Sequence, residues 1–184
     1  MAFDAPGRWI RLCALQACLL AAITAAATPT TPVHAAGTAS PRVRSTDGVI
    51  RRLIDEAASL SRTFRRLLET IEGTDGIVYV ESGACGHGVR ACLTMTVTRA
   101  ADYRILRILI DLRQKPRDLM GSIGHELRHA IEVLENRTLV DASTLYLFYS
   151  QGSVPNSGTF ETRAAIEAGF AVRNEIESAF NASR

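Results

Sequence analysis

Two histidines and a glutamate lie within one short stretch of the chain, His125-Glu126-Leu127-Arg128-His129. On an α-helix, residues four apart differ by only about 40° around the axis, so His125 and His129 project to one side. There the two imidazoles can occupy two corners of a tetrahedral Zn²⁺ site. Glu126, next to the first histidine, is then placed as a general base for a water molecule. The stretch therefore predicts metal-dependent hydrolytic chemistry.

A helix must carry this stretch, and the surrounding pattern predicts one from Arg117 to Glu135. Pro116 suits a first helical turn, and Asp118 lies near the positive end of the helix dipole. Gly121 lies on the histidine face, where it would let a substrate or a strand approach closely. The opposite face is apolar and consists of Met120, Ile123, Leu127, Ala130, Ile131 and Leu134. We therefore expect a helix that packs this apolar face into the core and presents the histidines to a cleft.

Two histidines leave a tetrahedral site incomplete, and two glutamates are candidates for the third position. Glu132 shares the histidine face but lies about 10.5 Å beyond His125 along a straight helix, which favours a supporting role. Glu161 lies near the start of a later predicted helix, where the small residues Ala164 and Ala165 would allow close packing. We therefore expect Glu161 to be the third ligand, with Glu132 or water as the alternatives.

The other patterns predict a single α+β domain over residues 46–184. Ser45 or Thr46 can cap a first helix that extends to about residue 72. Three strands follow, at 77–81, 93–97 and 103–112, and we expect an antiparallel meander whose first two strands form a hairpin. Two helices come after the histidine helix, one over 141–150 and one from a cap at Thr159 to about Ala179.

The N-terminal segment has the composition of a targeting signal. Arg8 and Arg11 precede an uncharged stretch rich in leucine and alanine over residues 12–27. This order is typical of a secretory signal peptide, here over residues 1–35, followed by a linker over 36–45. A membrane anchor is the alternative, although the apolar stretch is shorter than the ~18–20 residues that span a bilayer. We expect a secreted or periplasmic protein with no stable membrane association after cleavage.

Two cysteines, Cys85 and Cys92, lie outside the signal segment. In an oxidising compartment an isolated pair at this spacing is typical of a disulfide. The alternative is a metal site that uses His87, which lies between the two thiols.

The motif residues resemble those of zincin metallopeptidases of the gluzincin kind, over about residues 110–170. That resemblance implies a zincin-like fold in which His125, His129 and Glu161 bind zinc and Glu126 activates a water. It also implies that an edge strand of the sheet holds an extended substrate by backbone pairing. The sequence Gly-His-Glu-Leu-x-His-Ala with a later Phe-Glu-Thr also resembles small exported bacterial proteins.

Two positions depart from the gluzincin pattern. Arg128 stands where the longer zincin motif prefers an uncharged residue. Ala165 stands four residues after Glu161, where gluzincins carry an acidic residue. We therefore expect a ligand histidine to be supported instead by Glu132 or by a backbone carbonyl.

These features predict an exported zinc-dependent metallohydrolase, most simply a peptidase acting on a peptide or protein. Such an enzyme needs a donor for the oxyanion that forms on the scissile carbonyl, and we choose Tyr149 over Tyr146 and His87. One alternative is a zinc-containing binding protein with the same fold and no turnover. Another is a structural helical protein with a chance motif. A net charge of +2 and 6% aromatic residues provide no electrostatic footprint for nucleic acid.

Overall fold

The computed structural model describes residues 41–86, 88–153 and 160–182. The expected signal peptide, the first half of the linker, His87 and Thr159 lie outside the described residues. Within the described ranges, five helices and one five-stranded sheet make a mixed α+β fold. The expected α+β class is therefore confirmed.

The chain begins with one strand and two helices, continues with four strands, and ends with three helices. In chain order they are β1 (Val43–Arg44), α1 (Gly48–Leu60), α2 (Arg62–Glu72), β2 (Gly76–Ser82), β3 (Ala91–Leu93), β4 (Thr98–Ala100), β5 (Tyr103–Ile110), α3 (Pro116–Glu135), α4 (Ala142–Gly152) and α5 (Arg163–Ala182).

The expected first helix is in fact two helices, because the backbone is extended at Ser61. The Ser61 hydroxyl accepts a hydrogen bond from the Phe64 N–H and so caps α2. The cap of α1 is Asp47, whose side chain accepts hydrogen bonds from the N–H groups of Val49 and Ile50. The expectation that Ser45 or Thr46 caps this helix is wrong. Both helices pack their apolar faces on one core, so the apolar spacing continues across the break and does not reveal it.

The sheet is mixed, and the expected antiparallel meander is wrong. β2 pairs in parallel with β5 along its whole length, and β1 pairs in parallel with the other side of β2. β3 and β4 pair antiparallel with β5. The expected hairpin between 77–81 and 93–97 does not form, because β5 lies between β2 and β3. The parallel pairing places the two longest apolar strands side by side, where both bury side chains in the core.

The motif helix α3 is the central element of the core. It begins one residue before the expected start and ends at Glu135 as expected. The six residues of its expected apolar face are all buried. α3 packs on β5 and β3 and also on α5. The helix is therefore held on two sides, which fixes the direction in which its histidines point.

Glycines bring α3 and α5 very close together. A Cβ atom at Gly124 would lie 2.8 Å from Val172 Cγ2, and one at Gly121 would lie 3.3 Å from the Gly169 carbonyl oxygen. The element that closely approaches Gly121 is thus α5, rather than the expected substrate or strand. The contact that we expected from the small residues at 164 and 165 is made further along α5, although Ala165 is also buried.

Arg104, at the start of β5, holds the C-terminal end of α3. Its guanidinium donates to the carbonyl oxygens of Val133, Leu134 and Asn136 at 2.6–3.0 Å. The same group forms an ion pair with Asp75 at 2.8 Å. A cation at this end of a helix complements the negative end of its dipole. Arg104 therefore joins the sheet, the preceding turn and the motif helix.

A disulfide joins Cys85, in the loop before β3, to Cys92 within β3. The expected bond is confirmed, and it removes both thiols from the alternative metal site. Among the described residues, none of the helices has the length and apolar character that crossing a membrane requires.

Candidate metal centre

The two histidines and Glu161 come together at the junction of α3 and α5. His125 and His129 lie one turn apart on α3, with ring centroids separated by 4.9 Å. Glu161 Oε2 lies 3.0 Å from His125 Nε2 and 3.9 Å from His129 Nε2. The three ligand atoms are all within 4.8 Å of one another. The structure thus assembles the three residues that the sequence suggested as ligands.

Glu161 reaches this position from the segment before α5. Thr162 accepts a hydrogen bond from the Ala165 N–H and acts as the cap of the helix, which begins at Arg163. The expected start of the last helix near residue 159 is therefore wrong. Because Glu161 precedes the first turn, its side chain is not confined to the helix surface and can extend toward α3.

Two of the three separations between these atoms are close to those of a tetrahedral metal site. Ligand atoms at 2.0–2.1 Å from a zinc ion are about 3.3 Å apart in a tetrahedron, and the observed 3.0 Å and 3.9 Å bracket that spacing. Glu161 Oε2 is buried and has no hydrogen-bond partner among the described residues. Its contact with His125 therefore has the length of a hydrogen bond without the alignment. These residues could hold a metal ion, and two imidazoles with one carboxylate suit zinc and several other transition metals.

Glu132 contacts the second histidine, and it is one of the two supports that we expected for a ligand histidine. Glu132 Oε2 lies 3.0 Å from His129 Nδ1, and Glu132 Oε1 accepts a 2.7 Å hydrogen bond from the Thr162 hydroxyl. Arg128 lies 3.9 Å from that same oxygen. A carboxylate on Nδ1 favours the tautomer whose Nε2 lone pair is available to a metal ion.

The electrostatics of the cluster favour a cation. Burial opposes the charged form of His129, but the carboxylates of Glu132 and Glu161 outweigh it and raise the pKa of His129 to about 9. In turn, His125 and then His129 hold the pKa of Glu161 well below its usual value, against the effect of burial. The site is therefore rich in negative charge, which a divalent cation would balance in place of a proton.

Glu126 lies between the ligand cluster and the edge of the sheet. Its Oε2 accepts a 2.7 Å hydrogen bond from the Leu93 N–H of β3, and its Oε1 lies 3.9 Å from His125 Nε2. Burial raises the pKa of Glu126, whereas the nearby His129 and His125 lower it. One carboxylate oxygen is thus fixed by the backbone, and the other faces the ligand atoms.

Tyr149 does not lie in the cleft. Its hydroxyl donates to the His129 carbonyl oxygen at 3.2 Å, and its ring meets the His129 ring edge-on at 5.4 Å. The side chain is buried, and this burial raises the pKa of Tyr149. Tyr146 is exposed and packs against Phe160. These contacts make Tyr149 a support for α3, and no contact with the residues that the structure describes supports its expected oxyanion role.

A cleft of about 390 Å³ opens beside the candidate metal centre. His125, Glu126 and Glu161 line it, whereas His129 is 4% exposed and lies deeper. Two arginines, Arg90 and Arg173, line the same cleft. Sequence analysis missed both, because they come from segments more than 80 positions apart with no shared motif.

No family model, no curated protein and no solved structure matches this chain. The case for a function therefore rests on the site itself.

Proposed function

We propose that the protein is an exported, zinc-dependent metallohydrolase with a zincin-like fold that cleaves peptide bonds. The observation that carries the proposal is the convergence of His125, His129 and Glu161 from two separate parts of the chain, with Glu126 beside them. Three protein ligands leave one position open, which is typical of catalytic zinc sites rather than structural ones. The disulfide supports export, since such bonds persist in oxidising compartments.

The chain's own groups match the steps of hydrolysis. Zinc, when bound, supplies a Lewis acid that polarises the scissile carbonyl and makes water acidic. Glu126 takes a proton from a water in the cleft and returns it to the leaving amine. The burial that raises the pKa of Glu126 brings it closer to neutral pH, where a group can both accept and donate a proton. The Leu93 N–H keeps its carboxylate oriented during these transfers.

The edge of the sheet can hold the substrate. β3 lies at one end of the strand order and borders the cleft through Ala91. An extended peptide would pair with the outer side of β3 and pass over the ligand cluster. Because Leu93 of the same strand contacts Glu126, substrate pairing and the position of the base are coupled.

One observation favours a second candidate, a zinc-containing binding protein without turnover. Glu126 already accepts a short hydrogen bond from the backbone of β3. A hydrogen bond to the charged form stabilises the carboxylate and weakens it as a base.

Zinc content and hydrolysis, measured together, test the two candidates. The purified protein is loaded with zinc, and cleavage of an unstructured protein is compared for the wild type, Glu126→Gln and Glu135→Gln. Glu135 is a matched control, because it lies on the same helix and is 58% exposed. We expect E126Q to retain zinc and to lose activity about 100-fold or more, and E135Q to behave as the wild type.

Each other outcome is decisive for one candidate. Hydrolysis that survives E126Q contradicts the mechanism. Zinc retained at one ion per chain without cleavage of any protein or peptide supports the binding protein. A wild-type protein that holds no zinc after dialysis contradicts both candidates.

A further inference from the structure

The walls of the cleft carry positive charge that the metal centre does not use. Arg90 lies in the loop closed by the disulfide, and Arg173 lies on α5, yet both line the cleft with His125 and Glu161. The acidic residues that line it, Glu126 and Glu161, face the ligand cluster. A divalent cation there would balance those two carboxylates. The arginines would then make the open part of the cleft positive.

Helix packing fixes the distance of Arg173 from the ligand cluster. α3 and α5 run antiparallel, since Gly121 faces Arg173 whereas Glu132 contacts Thr162. A Cβ atom at Gly169 would lie 3.0 Å from His125 Cβ, and Arg173 follows one helical turn later. The four residues from Gly169 to Arg173 span about 6 Å along the helix axis. This distance corresponds to one or two residues of an extended peptide, whose Cα atoms are about 3.8 Å apart.

The guanidinium of Arg173 is only partly satisfied within the protein. Its Nε is buried and has no hydrogen-bond partner among the described residues. The contact with Asp118 Oδ1 measures 3.5 Å, which is longer than a charge-assisted hydrogen bond. The Arg173 side chain remains 37% exposed. The exposed part of the side chain is therefore available to a further carboxylate in the cleft.

Apolar side chains lie next to these arginines. Val89, Ile166 and Phe170 line the cleft, and Phe170 is 58% exposed. A large apolar side chain at the rim of a positive cleft is suited to a ligand that combines an apolar group with an anion.

We propose that the cleft binds peptides carrying a carboxylate one or two residues from the bond aligned with the ligand cluster, with Arg173 and Arg90 as the binding groups. An apolar side chain of the peptide packs against Phe170. The statement that a bond near the carboxylate is cleaved rests on the proposed function. Binding of the carboxylate by the arginines does not require that the protein hydrolyses peptides. That carboxylate can be a free C-terminus or the side chain of Asp or Glu.

Three peptides separate the two sources of the carboxylate. The first is an acetylated apolar tripeptide with a free C-terminus, the second is its C-terminal amide, and the third is the amide with glutamate as the last residue. Their affinities for the zinc-loaded Glu126→Gln protein are measured by calorimetry. Because this variant is chosen for binding without turnover, the result does not depend on whether the wild type hydrolyses peptides.

We expect at least one carboxylate peptide to bind about tenfold or more tightly than the neutral amide. Adding Arg173→Gln should reduce this preference to less than threefold, and Arg90→Gln should reduce it in part. Asp118→Asn should increase the preference, because Asp118 competes for Arg173. Arg66→Gln is the matched control, since Arg66 is an exposed arginine of α2 away from the cleft, and it should change nothing.

Tighter binding of the free-acid peptide would identify a C-terminal carboxylate as the recognised group. Tighter binding of the glutamate peptide would identify a side-chain carboxylate. Equal binding of all three peptides, or binding of none at millimolar concentration, overturns the proposal. So does a carboxylate preference that survives both arginine substitutions. Failure of hydrolysis with this preference intact would overturn only the proposed function.

Discussion

Gly169→Ala is the substitution that most sharply tests whether α5 positions the metal ligands. The added Cβ atom would lie 3.0 Å from His125 Cβ, 3.5 Å from His125 Nδ1 and 3.4 Å from the Gly121 carbonyl oxygen. Ordinary contacts between carbon atoms are about 3.5–4.0 Å. His125 or the whole of α5 must therefore move by a few tenths of an ångström.

This displacement is large for a metal centre and moderate for a protein core. Metal–ligand distances tolerate only about 0.2 Å, and a misplaced ligand costs about 10–100-fold in metal affinity. Overpacking costs about 1–3 kcal/mol of unfolding free energy, which the higher helix propensity of alanine offsets by about 1 kcal/mol. We therefore expect zinc affinity to fall at least tenfold while the protein loses only about 0–2 kcal/mol.

Competition with a chromophoric chelator measures the zinc affinity, and urea unfolding of the zinc-free protein measures the stability. Gly152→Ala on α4 is the control, because a Cβ atom there meets nothing within 4 Å. It should bind zinc as the wild type does. If the wild type binds zinc as proposed, an equal zinc affinity in the Gly169→Ala protein would refute the claim that the contact between α3 and α5 sets the position of His125.

Four further predictions concern contacts of the site and of the surrounding fold. Glu132→Gln should lower zinc affinity about 10–100-fold, because it weakens the acceptor that orients a ligand histidine; chelator competition measures this. Arg104→Met should destabilise the protein by about 2–4 kcal/mol in urea unfolding, since the carbonyls at the end of α3 lose their donor. Arg104 holds the pKa of Asp75 below its usual value. The stability that Asp75→Asn removes at pH 6 should therefore begin to decline as the pH falls below about 4, and it should be lost once the pH is below the lowered pKa of Asp75. Replacing Cys85 and Cys92 with serine should cost about 2–3 kcal/mol in thermal or urea unfolding, because the loop is no longer closed.

Each of these predictions has a result that would contradict it. Glu132→Gln with unchanged zinc affinity would make its contact with His129 incidental. Arg104→Lys keeps the charge but lacks the guanidinium fork, so wild-type stability in this variant would mean that the fork is unimportant. A stability loss in Asp75→Asn that does not decline at all as the pH falls from about 6 to well below about 4 would exclude the ion pair as its source. Serine variants as stable as the wild type would show that the disulfide constrains little.

The motif helix and the residues that could hold a metal ion were accessible from the sequence because the signals are local. Pro116 fixes the start of α3, and the apolar spacing fixes its buried face. Glu161 was identified by its place before the last helix, and Glu132 by its position on the histidine face. In each case residue type and helical geometry were sufficient.

The strand pairing was not accessible in the same way. Alternation of apolar residues shows which face of a strand is buried, but it does not show which strand lies next to it. Residues 94–97 alternate as a strand would, yet they lie between β3 and β4 rather than in either. The break at Ser61 was hidden for a related reason, because both helices bury the same apolar face. The positions of the two arginines in the cleft depend on how distant segments pack together, which no local sequence pattern indicates.

A crystal structure of the zinc-loaded protein, with diffraction measured on both sides of the zinc absorption edge, tests the central claim most directly. We expect one anomalous peak per chain at 2.0–2.1 Å from His125 Nε2 and His129 Nε2 and at 2.0–2.2 Å from Glu161 Oε2, the distances typical of zinc. No peak at this position, or a peak bound by the histidines with Glu161 pointing away, would contradict it.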